Sequence, residues 1–161
     1  MKAVNERRAG ASTAYDRTHD DIGNIVFLDH VNLGVGDQQA ATVFYVMGLG
    51  LTRDPYMRVG IYIMGINVGR SQFHLPTAGR TDVREPQGIQ RIPGTIGLVM
   101  MDIAALAIRL EKIAPLLKGT QFRFEVHGDV VDAVCPWGNR FRCHAPSPEF
   151  GATDLAIAYV E

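Results

Sequence analysis

The chain has 161 residues, of which 47% are hydrophobic and 20% charged, and its formal net charge is −1. This length corresponds to one domain with a sizeable hydrophobic core. The near-neutral charge balance argues against nucleic acid or an anionic membrane surface as the partner. No apolar run reaches the roughly 20 residues that cross a bilayer, so we expect no membrane anchor.

Two cysteines, Cys135 and Cys143, occur without a Cys-x-x-Cys motif or a framework of regular spacings. We interpret both as reduced thiols, which are typical of the cytoplasm, and a disulfide bridge between them is the alternative. Residues 1–23 combine charged and small polar residues and contain no apolar run of signal-peptide length. They are predicted to form a flexible N-terminal arm.

A regular pattern begins at residue 24. The segment "IVFLDHVNLGV" is predicted as a strand, and alternation places His30 on one face and Val31 on the other. Asp37 is predicted to cap a helix, because its carboxylate can accept a free backbone N–H of the first turn. Glycines at 48 and 50 end that helix, and "VGIYIMGINVG" and "RSQFHLP" supply two or three strands. The buried stripe of the helix is predicted to be Ala40, Val43, Phe44 and Met47.

The same order of elements recurs in the second half of the chain. "TIGLVM" is predicted as a strand, Asp102 as the cap of a helix, and Pro115 as the end of that helix. The buried stripe of this helix is predicted to be Leu106, Leu110 and Ile113. Strands follow in "FRFEVHG", "DVVDAVC" and "FRCHAP". The final segment "LAIAYVE" is an apolar strand that requires either another chain to cover it or a natural sequence that continues.

The spacing of equivalent positions supports a duplicated unit. His30 and Thr95 are 65 residues apart, and so are the two candidate caps, while His74 and His144 are 70 apart. Internal repetition of this kind determines the architecture. The predicted organisation is an arm (1–23), a first module (24–76), a linker (77–93), a second module (94–146) and a tail with a terminal strand (147–161).

The order of these motifs resembles the vicinal oxygen chelate superfamily, which includes glyoxalase I, extradiol dioxygenases, fosfomycin-resistance enzymes and bleomycin-resistance proteins. The resemblance covers residues 25–146 and rests on Asp-His-Val in the first strand, Phe44-Tyr45 in the helix, Gly-Leu-Gly-Leu at 48–51 and Pro-x-Gly-Asn at 136–139. It implies an α+β fold with two tandem βαβββ modules that form a curved, cup-shaped sheet. The terminal strand resembles the opening strand of a further module, so the chain could be half of a four-module protein.

The resemblance also implies a divalent metal in the cup, held by one ligand from the first and one from the last strand of each module. The matching positions are His30, Gln72, Thr95 and Arg142. Threonine is a weak neutral ligand, and arginine has no lone pair to donate. A cation 4 Å from Arg142 would be repelled by about 4 kcal/mol in a partly screened site. We therefore expect the four-ligand site to be partly degenerate.

Two further histidines offer another route to a metal. Alternation puts His74 on the same strand face as Gln72, and His144 on the same face as Arg142. Together with His30, these imidazoles suit zinc or ferrous iron, and manganese or nickel are the other candidates. The metal ligands that we predict are His30 and His74. The alternative is that each His-x-Pro simply ends a strand.

Arg142 also suggests an anion site. Its planar fork can bind a carboxylate, phosphate or enolate oxygen through two parallel bonds. Gln72, Thr95 and His144 would then complete the substrate-binding set. The alternative is a structural ion pair with Glu125 or Asp132, and both alternatives predict a buried partner for the guanidinium.

Three functional hypotheses remain. The first is an enzyme, a lyase, isomerase or dioxygenase, that binds a small oxygenated molecule, with His30 as metal ligand or general base and Arg142 stabilising developing negative charge. The second is a metal-free protein that sequesters a ligand, as bleomycin-resistance proteins do. The third is a non-catalytic half of a longer protein. The apolar terminal strand also predicts a homodimer, since an unpaired strand edge favours pairing with a second copy.

Overall fold

The computed structural model describes residues 28–56, 62–80 and 88–161 of the chain. The N-terminal arm, the first residues of the first module, the start of "VGIYIMGINVG" and the middle of the linker lie outside the described residues. Within them, no helix is long and apolar enough to cross a membrane.

The first module contains a helix between its first and second strands. The Asp37 carboxylate accepts a 2.7 Å hydrogen bond from the backbone N–H of Ala40, so the predicted cap is confirmed. The elements are β1 (His30–Asn32), α1 (Gln38–Ala41) with a π-helical continuation (Thr42–Gly48), β2 (Thr52–Arg53), β3 (Ile63–Val68) and β4 (Ser71–Pro76).

The π-helical turn changes which residues of the first helix are buried. The N–H of Leu49 donates to the carbonyl of Phe44, five residues earlier. Phe44 and Tyr45 are both fully buried, whereas Met47 is 48% exposed. The prediction that Met47 belongs to the buried stripe is wrong, because the 3.6-residue period does not hold across a wider turn.

The second module repeats this arrangement. The Asp102 carboxylate accepts a 2.8 Å hydrogen bond from the N–H of Ala105, and Pro115 lies in a 3₁₀ turn directly after the helix, so both predictions are confirmed. The three residues predicted as the stripe of this helix are buried. The elements are β5 (Thr95–Val99), α2 (Ile103–Ile113), the 3₁₀ turn (Ala114–Leu117), β6 (Arg123–His127), β7 (Val130–Val134) and β8 (Arg140–His144).

The strands form two sheets, one for each module. Sheet 1 has the order β1-β4-β3-β2, and sheet 2 has the order β6-β7-β8-β5 followed by a ninth strand, β9 (Ala156–Val160). In each module the first strand runs parallel to the last, β1 beside β4 and β5 beside β8. The predicted α+β class with two βαβββ modules is confirmed.

The terminal strand β9 is paired within its own chain. It runs antiparallel to β5, with Gly97 opposite Tyr159. One edge of this strand is therefore covered within the chain, and the prediction that another chain or a continuing sequence covers it concerns the other edge. Because β5 has β8 on one side and β9 on the other, β1 is not its hydrogen-bonded neighbour.

One aromatic core joins the two modules. Phe73 of β4 and Phe141 of β8 have ring centroids 5.9 Å apart, and Phe141 also contacts Phe44 and Tyr45 of the first helix. Since each sheet points its apolar side chains at this shared core, the opposite, polar face of each sheet is directed away from it.

A second contact between modules involves the only tryptophan of the chain. Trp137 lies in the turn between β7 and β8 and packs against Gly36, which precedes the first helix. A Cβ atom at position 36 would come within 2.4 Å of the indole Nε1. The glycine is therefore required for this close approach.

Candidate functional site

The polar face of sheet 1 carries a pair of stacked imidazoles. His30 and His74 lie on the same face of neighbouring strands, where Gln72 pairs with His30 and Asn32 with His74. Their ring centroids are 4.3 Å apart with an interplanar angle of 15°. The Nδ1 atom of His30 is 2.7 Å from the carboxylate of Asp29. The two predicted metal ligands are thus adjacent, with ring faces rather than ring nitrogens turned toward each other.

Hydrogen bonds tie this pair to the next strand. The Nε2 atom of His74 is 3.1 Å from the side-chain oxygen of Gln72, whose amide nitrogen donates to Asp54 and, at 2.8 Å, to Asn67. Partial burial lowers the pKa of His74, and the neighbouring His30 lowers it further. The lowered pKa favours the uncharged form of His74 in this network.

The polar face of sheet 2 carries the predicted guanidinium. Arg142 donates two 2.8 Å hydrogen bonds to the two carboxylate oxygens of Asp132 on the neighbouring strand. The hydrogen bond from Arg142 is the main reason that the pKa of Asp132 is lowered. The Arg142 side chain is 48% exposed and that of Asp132 is 34% exposed, so the prediction of a buried partner is wrong.

A groove runs along this face of sheet 2. Its volume is about 320 Å³, at the lower end of the range for small-molecule sites. The polar side chains that line it are Thr95, Arg123, Glu125, Asp132, Arg140 and Arg142. Among the described residues, no hydrogen bond or ion pair engages the side chain of Arg140. The groove therefore contains an arginine fork that is free to bind an anion.

The strand register changes one assignment made from the sequence. Gln72 pairs with His30 in sheet 1, whereas its counterpart Arg142 pairs with Gly97 in sheet 2. The counterpart of His30 is therefore Gly97. The prediction that Thr95 occupies this position is wrong by two residues. The prediction aligned the two modules by the equal spacing of their helix caps. This alignment fails in the first strand, because the second module has two fewer residues between strand and helix. Thr95 pairs with Arg140 and still lines the groove.

Tyr159 of β9 covers the position that Gly97 leaves without a side chain. A Cβ atom at position 97 would lie 2.3 Å from two atoms of the Tyr159 ring. The Tyr159 hydroxyl is 2.8 Å from Nε2 of His144. The second module thus replaces the paired imidazoles of the first with a phenol and an imidazole.

The residues at the four ligand positions do not fit a divalent metal. Two of them, Gly97 and Arg142, have no side-chain lone pair to donate. In the first module, Gln72 already bonds to His74, Asp54 and Asn67. Among the residues that the structure describes, no group of three or more His, Cys, Asp or Glu side chains is arranged to hold a metal ion.

The predicted site residues fall into two separate groups. His30, Gln72 and His74 share the polar face of sheet 1, and Thr95, Arg142 and His144 share that of sheet 2. Because these two faces point away from the common core, one chain does not place His30 opposite Arg142. Sequence reasoning missed Arg140, Gly97 and Tyr159. Alternation along "NRFRCHAP" could have found Arg140, since it shares the strand face of Arg142 and His144.

The structure also bears on the interpretation of the two cysteines. Cys135 and Cys143 are free and buried, as expected of reduced thiols, and burial raises the pKa of Cys143 to about 12. An unreactive thiol of this kind is a packing residue rather than a nucleophile.

No family model and no curated protein matches the sequence. Solved structures do match, among them a glyoxalase-related enzyme from Fulvimarina pelagi, with 15% identity over 85% of this chain and 100% of that chain and a TM-score of 0.57. The fosfomycin resistance protein of Mesorhizobium loti has 14% identity over 78% of this chain and 95% of that chain, with a TM-score of 0.54.

A third match is a mutant fosfomycin resistance protein from Listeria monocytogenes in complex with Mn(II) and a dihydroxypropylphosphonic acid. It has 12% identity over 78% of this chain and 96% of that chain, with a TM-score of 0.52. At such identities the likeness concerns the fold. Together with the two βαβββ modules, these matches show that the chain has the fold of the vicinal oxygen chelate superfamily.

Proposed function

We propose that this protein binds a small oxygenated anion on the polar face of its second module, without a resident metal ion. The observation that carries the proposal is the groove of about 320 Å³, in which Arg140 is unpaired beside Thr95. Charge-assisted hydrogen bonds from a guanidinium are among the strongest contacts available to a carboxylate or phosphate. Because Asp132 already neutralises Arg142, Arg140 is the residue that binds the anion. Arg142 lines the groove beside it.

The chemistry of the donor set supports a metal-independent role over a metal-dependent lyase, isomerase or dioxygenase. Gly97 and Arg142 occupy the second module's ligand positions, where the fold superfamily uses His, Glu or Gln. The manganese and phosphonic acid bound by the Listeria protein suggest that phosphonate-like anions suit this fold, while the manganese has no matching ligand set here. The protein therefore resembles the ligand-sequestering members of the superfamily more closely than the metal-dependent enzymes. The buried free thiols are consistent with a cytoplasmic location.

Binding of simple anions tests this function. Untagged protein is titrated with inorganic phosphate and with propionate by calorimetry, and its metal content is measured by elemental analysis. We expect Arg140→Gln to weaken anion binding about tenfold or more, because a hydrogen bond to a charged group is worth about 1.5–3 kcal/mol. The exposed Arg53→Gln on sheet 1 is the matched control and should bind both anions as the unchanged protein does.

Three results would count against the proposal. The first is that the unchanged protein binds neither anion. The second is that Arg140→Gln and Arg53→Gln bind the anions with equal affinity, which would show that Arg140 does not bind the anion. The third is a stoichiometric transition metal that disappears in His30→Ala, which would restore the metal-dependent enzyme.

A second copy of the chain completes the cup in this proposal. Among the described strands, β1 and β9 each end their sheet, so each has one unpaired edge. Pairing β1 of one chain with β9 of another would join the two polar faces into one surface. We expect sedimentation equilibrium to give a dimer mass, and Val160→Lys on β9 to shift the protein toward a monomer. A monomer mass for the unchanged protein at high concentration would refute the dimer.

A further inference from the structure

One row of positions on the groove side of sheet 2 has an arginine on each side of an apolar residue. Strand register pairs Arg123 of β6 with Val134 of β7, and Val134 with Arg140 of β8. Residues paired in this way point to the same face of the sheet, and both arginines line the groove. Because neighbouring strands lie about 4.8 Å apart, the Cα atoms of the two arginines are about 10 Å apart. One molecule in the groove can therefore reach both guanidinium groups.

The positive charges of this row are not neutralised within the described part of the chain. Arg123 donates one 3.3 Å hydrogen bond to the backbone carbonyl of Gln121, which carries no net charge. Among the described residues, no carboxylate forms an ion pair with Arg123 or Arg140. Glu125, the next residue on the strand face of Arg123, has its carboxylate 3.4 Å from Nε2 of His127 instead. Both guanidinium groups are therefore available to an anionic ligand.

The residue between the two arginines restricts what can lie over it. Val134 is partly exposed on the floor of the groove, and its side chain has no polar atom. A charged group placed over it would lose water without gaining a hydrogen bond, which is unfavourable. Methylene groups placed there would instead be removed from water together with the valine side chain, which is favourable. The row therefore fits a ligand with an anionic group at each end and an apolar chain between them.

We propose that the groove binds dicarboxylates with a short apolar chain, with Arg140 binding one acid group and Arg123 the other. This inference rests on the proposed function, which assigns one acid group to Arg140 and leaves the class of ligand open. Thr95 pairs with Arg140 in the same row, and its hydroxyl can donate to the acid group bound there. A monocarboxylate engages Arg140 and leaves Arg123 in water, so the second contact makes the site selective for two acid groups.

Calorimetry with glutarate and pentanoate tests this proposal, because the two ions have chains of equal length and differ only in whether the far end is a carboxylate or a methyl group. We expect the unchanged protein to bind glutarate about fivefold or more tightly than pentanoate, the effect of one added charge-assisted contact between exposed groups. Arg123→Gln should keep the affinity for pentanoate and bind glutarate within about twofold of it, since either end of glutarate can bind Arg140. Arg123→Lys keeps the charge and should keep most of the preference.

The outcomes separate this inference from the function on which it rests. If neither ion binds, the anion-binding function itself is refuted. If the unchanged protein binds both ions equally, or if Arg123→Gln keeps the preference for glutarate, the role of Arg123 is refuted and the groove remains an anion site. Arg53→Gln removes an exposed arginine of sheet 1 and is the matched control for net charge, so it should keep the preference. Sulfate that binds as tightly as glutarate would show that a compact double charge suffices, which would refute the dicarboxylate class.

NMR spectra of the arginine Nε–H groups give a second readout, which does not depend on measured affinities. At saturation we expect glutarate to shift the signals of both Arg123 and Arg140, because both guanidinium groups donate to it. Pentanoate should shift the signal of Arg140 and leave that of Arg123 near its position in the free protein. Arg109 is the internal reference, because its Nε–H donates to the carbonyl of Gly48 and it does not line the groove. Equal shifts of Arg123 with the two ions would contradict the proposed contact.

Discussion

Phe141→Ala is expected to lower the free energy of unfolding by about 3–5 kcal/mol, the usual cost of removing a buried phenyl ring. Phe141 is 1% exposed and contacts aromatic rings of the first helix and of β4. Since these neighbours belong to the other module, the cavity would lie where the two halves meet. A loss of this size is a large part of the total stability of an ordinary domain.

Urea unfolding followed by circular dichroism measures this loss, and Phe141→Leu should show a smaller one because most of the volume is kept. Ile108→Ala is the control, since Ile108 is 54% exposed on α2 and its truncation should change stability little. Equal losses for Phe141→Ala and Ile108→Ala would show that the aromatic cluster is not the centre of the core.

Gly97→Ala is expected to destabilise the protein by about 1–3 kcal/mol, which is typical of inserting an atom where there is no space. The new Cβ would lie 2.3 Å from the ring of Tyr159, so the ring must move off the strand. That movement would break the hydrogen bond to His144 and weaken the pairing of β9 with β5. Alanine is otherwise the better residue in a strand, so a loss must come from the clash.

Gly88→Ala is the matched control, because a Cβ at position 88 meets no atom within 4 Å. Its stability should equal that of the unchanged protein or exceed it slightly. The combination Gly97→Ala with Tyr159→Ala should recover part of the loss, since the second change removes the ring that clashes. If Gly97→Ala is as stable as Gly88→Ala, then Tyr159 does not lie on Gly97 in solution.

Local rules were sufficient to predict most of the secondary structure. Asp37 and Asp102 cap their helices because a carboxylate before a helix has few better partners than the free N–H groups. Pro115 ends α2 for an equally local reason, the missing N–H. The duplication then predicted the order of helix and strands along each module, since equivalent segments form equivalent elements.

The sequence was less informative where packing between modules decides the structure. Tyr45 replaces Met47 in the core because a π-helical turn forms against the other helix and sheet. Alternation correctly placed His30 and Arg142 on the polar faces of their strands. It carries no information on how two sheets are oriented, so the expectation that these residues share one cup had no local basis.

The candidate site was predictable only where it depends on a single strand, because its other residues are placed by the pairing between strands. Arg142 follows from the repeat and lines the groove. Thr95 lines it too, although the strand register gives its predicted place to Gly97. Tyr159 could not be assigned, because its place depends on β9 returning to pair with β5 beside a glycine. An apolar strand with one tyrosine gives no indication of which edge it will occupy.

The packing of Trp137 against Gly36 gives the molecule an internal optical probe. The indole belongs to one half of the chain and Gly36 to the other, and no second tryptophan contributes emission. Fluorescence therefore follows the separation of the halves, while circular dichroism follows the strands and helices within each. Coincidence of the two signals during denaturation would mean that neither half survives alone.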